Sequence, residues 1–180
     1  MNLALQSMLL WLMAQAAITD LALRRIPNVL VFCGLLIALL LHVFTGRGYD
    51  WLSIWLSGLG TGFFLFLPLY MLRGMAAGDV KLMAMTGAFV GPALTVEIAV
   101  LTCLIGGVLA LLMVACSGRW RMLLRNLKVM AWPLLGRAVG YPLEPVPLPR
   151  EASAGGIPYG VAIALGTTAV VLQPHWPSFA

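Results

Sequence analysis

Six apolar runs, at about 3–19, 28–44, 51–72, 80–91, 92–116 and 156–173, fill most of the chain and leave few positions for a charge. A bilayer-crossing α-helix needs roughly 20 consecutive apolar residues, and most of these runs approach that length. Charged side chains make up 9% of the 180 residues and hydrophobic ones 62%, against about a quarter charged in an ordinary soluble domain. A water-soluble globule is excluded. The pattern predicts an all-α, polytopic membrane protein with about six transmembrane helices, forming one domain over residues 1–180. Because no Lys or Arg precedes the first run, it reads as a mature span, although Ala14-Gln15-Ala16 resembles a signal cleavage site.

The eleven Lys and Arg exceed the six Asp and Glu, for a formal charge of +5. Assigning the connections alternately to two sides puts Arg24, Arg25, Arg73, Lys81, Arg119, Arg121, Arg125, Lys128, Arg137 and Arg150 on one side and only Arg47 on the other. The positive-inside rule makes the first side cytoplasmic and both termini external. The basic surplus therefore reports topology and contact with membrane lipids rather than nucleic-acid binding. Trp51, Trp55 and Trp176 fall where an interfacial aromatic belt is expected. The 117–155 loop joins two kinds of segment. Trp120, Leu123, Leu124, Leu127, Met130 and Ala131 share one helical face, with Arg121, Arg125 and Lys128 turned elsewhere, which predicts a cytoplasmic amphipathic helix at the interface. Pro142 to Pro149 then favours extended polyproline geometry.

Several chemistries find no residues. Cys33, Cys103 and Cys116 lie singly in apolar runs and read as small buried hydrophobes. His42 and His175 are isolated, so no HExxH metal site exists and a Ser-His or Cys-His nucleophile pair is hard to build. Of the six carboxylates, Asp50, Glu144 and Glu151 fall in connections, and Glu97, about one turn into the fifth run, reads as structural. Asp20 and Asp79 differ. One closes the first run and the other opens the fourth from the same side, so alternating topology brings them to similar depth.

The fourth run rises only about 18 Å as a helix and cannot cross roughly 30 Å of hydrocarbon alone. Either the membrane thins locally, or the helix begins below the cytoplasmic surface after an irregular lead-in, Gly74 to Gly78, which would line a water-filled pocket because unwound backbone is not tolerated against lipid. Asp20 could still be a span boundary paired with Arg24 or Arg25, and Asp79 an N-cap. Two carboxyl groups that meet in such a place cannot both ionise easily, which leaves one as general base for a water and one as general acid. That is the apparatus of an aspartic protease.

Three segments in order carry a resemblance: Asp20-Leu-Ala-Leu-Arg-Arg-Ile-Pro-Asn28, Gly78-Asp79-Val-Lys81-Leu, and Gly156-Ile-Pro-Tyr-Gly160 with Ala162-Ile-Ala-Leu-Gly166. Together they resemble the type IV prepilin peptidases, a family of intramembrane aspartic proteases, and among these the short members serving tight-adherence (Flp-type) pili. The resemblance implies an enzyme of the bacterial inner membrane that cuts basic leader peptides from prepilins, with Asp20 and Asp79 as its catalytic pair and neither metal nor cofactor. Longer members also methylate the new pilin N-terminus through an extra cytoplasmic domain, which this sequence is not expected to do. Around the pair, Pro27 and Asn28 supply helix-start chemistry, Lys81 is a phospholipid anchor or tunes Asp79, and Gly155, Gly156 and Gly160 permit close helix packing. The family's Gly-x-Gly-Asp reads Ala76-Ala77-Gly78-Asp79, so a Cβ stands where glycine would allow positive φ or close substrate approach. Two other classes fit some of the same residues: a small ion- or proton-coupled transporter using Asp20, Asp79 and Glu97, and a pilus or secretion subunit that has lost catalysis. The oligomeric state is not encoded in any of these features.

Overall fold

Helix boundaries in the computed structural model follow the apolar runs with shifts that matter near the two acids. The structure describes residues 3–45, 50–72, 74–118 and 159–173. Arg47, Arg73, the interfacial helix and proline-rich part of the 117–155 loop, Gly155, Gly156 and Trp176 lie outside the described residues. Six helices and no strand occur among the described residues: α1 Leu3–Leu23, α2 Asn28–Thr45, α3 Trp51–Met71, α4 Ala77–Val90, α5 Pro92–Ser117 and α6 Tyr159–Leu172. Three of them, Leu3–Leu23, Trp51–Met71 and Pro92–Cys116, are long and apolar enough to cross a membrane. The chain divides into two compact units, Met1–Gly106 with Pro158–Ala180, and Gly107–Ile157. The first holds both acids.

Within that unit, α1 buries one stripe, Leu5, Leu9, Leu12, Met13, Ala16 and Asp20, spaced as one face of a helix requires. The opposite surface is just as apolar, with Trp11, Ile18 and Leu21 exposed. Polar contacts between helices fix directions. At one end of α1 the Gln6 side chain donates to the Val171 carbonyl (2.8 Å), and at the other the Asp20 carboxylate accepts from Gly160, so α1 and α6 run antiparallel. Lys81 reaches Asn28 (3.1 Å) and the His42 ring bonds the Ala88 carbonyl (3.1 Å), which sets α2 parallel to α4. Trp55, expected only as an interfacial anchor, also donates to the Leu35 carbonyl of α2 (3.3 Å).

Every residue of α4 from Asp79 to Phe89 is buried except Lys81. This explains its shortness: 14 residues rise about 21 Å, and the helix is surrounded by protein instead of meeting lipid. Its closest neighbour is α3. Gly58 and Gly62, four apart on α3, lie against the backbones of Gly87 and of Met83 and Ala84. A Cβ at Gly58 or Gly87 would strike the other's carbonyl. Small residues at this spacing let two helix backbones touch, a G-x-x-x-G signal in the sequence that hydropathy alone passes over. α4 ends at Gly91, whose φ of 81° is left-handed, and Pro92 opens α5.

Three expectations need correction. The irregular lead-in is shorter than residues 74–78, because Ala77 and Gly78 already belong to α4. Asp20 lies inside the last turn of α1 instead of closing it. The three cysteines are exposed, not buried. Their runs are apolar on every side, so an apolar neighbourhood in sequence says nothing about which face is inside.

Candidate active site

Asp20 and Asp79 come from helices of opposite direction and lie at the same end of this unit, each almost withdrawn from solvent at 7% and 5% exposure. An isolated carboxylate so placed would lose its hydration with nothing in return. Both therefore take hydrogen bonds from backbone N–H groups that a helix start leaves unpaired. Asp79 is the third residue of α4, and its Oδ2 accepts the N–H of Ala76 (3.0 Å), while the Ala76 carbonyl accepts the N–H of Asp79 (3.1 Å). The side chain thus closes the helix from inside. It is not the N-cap, which is Ala76.

Asp20 finds its donor 140 positions along the chain. The N–H of Gly160, second residue of α6, donates to its Oδ2 at 2.8 Å, and the N–H of Val161 is directed at the same carboxylate. The positive end of the α6 dipole faces it. Asp79 is near enough to Asp20 to feel its charge, and Tyr159, at the start of α6, is near enough to feel that of Asp79. The Tyr159 ring in turn lies over Gly106 of α5, where a Cβ would come within 3.0 Å of it. Two carboxyl groups, two helix starts and a phenol therefore share one end of this unit.

The surrounding residues take specific places. Asn28 is the first residue of α2 and Pro27 precedes it, with the Pro27 carbonyl accepting from Val31 (3.4 Å). The Asn28 amide accepts the Lys81 ammonium, which ties the α2 start to α4 and turns Lys81 onto Asn28. Both residues stand at one side of a groove of about 300 Å³, otherwise lined by apolar groups of α2, α3 and α4 that include Phe32 and Phe63. Gly78 rests on Ile26 of the α1–α2 connection, where a Cβ would make an ordinary 3.4 Å contact. Ala76 is exposed and extended, with φ −83° and ψ 155°, a conformation open to any residue. The left-handed geometry that a glycine there would permit is not used.

Sequence reasoning missed the part played by Gly160 and Tyr159. The Pro-Tyr-Gly segment is visible, but only folding reveals that it closes on Asp20. Over residues 7–111 the sequence matches the model of the type IV leader peptidase family. No curated protein and no solved structure matches the chain.

Proposed function

The chain belongs to the type IV leader peptidase family, and on that premise we propose that it is an intramembrane aspartic endopeptidase removing the leader of Flp-like prepilins at the cytoplasmic face of the bacterial inner membrane. One observation carries the aspartic part of this reading: two nearly buried carboxyl groups from α1 and α4, each held by the N–H groups of a helix start, within reach of each other's charge. Intramembrane acids are costly, so a pair is a functional feature first.

The membrane setting is supported by the exposed apolar side chains on the helices described and by the alternation of helix directions, which suits six crossings with both termini outside. Among the described basic residues, Arg24, Arg25 and Lys81 follow Asp20 or Asp79 closely in the sequence, which suits a cytoplasmic position for that end of the helices.

In the reaction, a water between the two acids loses a proton to the ionised carboxylate as its oxygen attacks the scissile carbonyl carbon. The protonated partner gives its proton to the carbonyl oxygen, forming a neutral gem-diol. On collapse, a diol hydroxyl returns its proton to one carboxylate, the C–N bond breaks, and the other acid protonates the leaving nitrogen. Two carboxyl groups and water are sufficient. Fixed N–H donors on both acids keep their geometry from relaxing between steps.

Co-expression with a candidate prepilin tests the reading. The wild-type chain shortens the pilin by its leader, while Asp20→Asn and Asp79→Asn leave it full length with membrane levels of the enzyme unchanged. A transporter would leave the pilin untouched in all three strains.

A further inference from the structure

We propose that Gly160 is a positioning residue for this cleavage, its N–H fixing the Asp20 carboxylate at a contact too close for any side chain. The inference rests on the reading of Asp20 as one of the two reacting acids and extends it to α6.

The contact is specific to the acid. A Cβ built on Gly160 would lie 2.7 Å from Asp20 Oδ2 and 3.0 Å from its Cβ and Cγ, and those three atoms are its nearest neighbours. Other α6 contacts differ: Gly166 leaves room for the Thr102 hydroxyl of α5. What Gly160 leaves room for is the carboxylate itself. Asp20 has little freedom to yield, since it is 7% exposed and its backbone belongs to a helix whose far end is tied to α6 through Gln6 and Val171.

The reason for this arrangement lies in the flexibility of the acid. An aspartate on a helix chooses among side-chain rotamers, and a general acid or base is useful in only one of them. The N–H of Gly160 selects one by holding Oδ2 at 2.8 Å. Asp79 needs no such help from a distant segment, because the Ala76 N–H of its own helix start serves it. The pair is thus assembled from three stretches of chain, and the third contributes backbone where the other two contribute carboxyl groups.

The test is Gly160→Ala in the full chain, purified in detergent and assayed on a prepilin. A displacement of about 1 Å in one acid lowers kcat about 100-fold, and KM stays within about twofold because Gly160 holds the enzyme's own acid and not the substrate. The melting temperature supplies the second readout. Gly160→Ala lowers it in the wild-type chain, and the same substitution in an Asp20→Ala background, where the obstructing carboxylate is gone, lowers it far less. Equal destabilisation in both backgrounds, or a kcat near wild type, overturns the positioning role. A wild-type chain that cleaves nothing overturns the peptidase reading and this role together, whereas cleavage by wild type and by Gly160→Ala alike overturns the role alone.

Discussion

Two contacts in this molecule depend on missing side chains, and they serve different ends. Between α3 and α4, Gly58 meets Gly87 and the obstacle to a Cβ is a carbonyl of the opposite backbone. Between α1 and α6, Gly160 meets Asp20 and the obstacle is a carboxylate that also takes a hydrogen bond from that glycine. The first sets the distance between two helices. The second, on the peptidase reading proposed above, sets the position of one reacting acid. The comparison teaches that a close-packed glycine is not by itself a sign of structure or of function; the atom it faces decides which.

Removing the acids without disturbing either contact should give the largest effect. In Asp20→Asn and Asp79→Asn the amide oxygen still accepts from Gly160 or Ala76, so the fold keeps its bonds while proton transfer is lost. Cleavage should fall by roughly 10²–10⁴-fold for each, with melting temperature close to wild type. If either variant instead melted well below wild type and kept its turnover per folded molecule, that aspartate would join the structural class.

Gly87→Ala breaks the other contact. The obstacle is backbone and not the end of a flexible side chain, so relief needs one helix to move against the other and the variant should lose about 1–3 kcal/mol, the usual cost of overfilling a packed site. Denaturation in mixed detergent measures this, and activity per folded molecule should change little. A Gly87→Ala protein of normal stability but low turnover would blur the distinction between the two contacts.

Lys81→Met has a smaller expected effect. The ammonium is exposed and bonds the Asn28 amide, so its loss should lower stability by less than about 1 kcal/mol. Cleavage at saturating substrate should stay within about threefold of wild type, since Lys81 is engaged with α2. A collapse of activity at retained stability would put Lys81 among the groups acting on Asp79.

Much of this arrangement is legible in the sequence, for reasons that also explain what is not. The six apolar runs correspond to six helices because a helix pairs its own backbone groups, so hydropathy and length locate it without knowledge of neighbours. Asp20 and Asp79 stand out because a carboxylate in an apolar run is rare. The partners of Asp20 do not stand out, since a donor 140 residues away is a fact of tertiary packing and backbone N–H groups have no sequence signature. Hydropathy likewise cannot say which side of a helix faces inward when both sides are apolar, which is why the cysteines read as buried. The α3–α4 contact is legible in the spacing of Gly58 and Gly62, which marks close helix packing where hydropathy marks only span length.

Ala76→Gly sharpens the comparison at its weakest point. The sequence suggests that alanine at this position displaces a glycine needed for positive φ or close approach. With φ −83° and ψ 155° the backbone makes no such demand, and the side chain is exposed. Glycine there should only loosen the unfolded and lead-in chain, costing about 0.4–1 kcal/mol. The Ala76 N–H bond to Asp79 remains available, so cleavage should stay within about twofold of wild type. The informative contrary result is a large gain in kcat/KM. It would mean that substrate backbone comes against residue 76 and that the methyl group holds it off. A third kind of glycine-dependent contact would then exist, between enzyme and substrate, and the slow step of this chain would be set by a single Cβ beside its second acid.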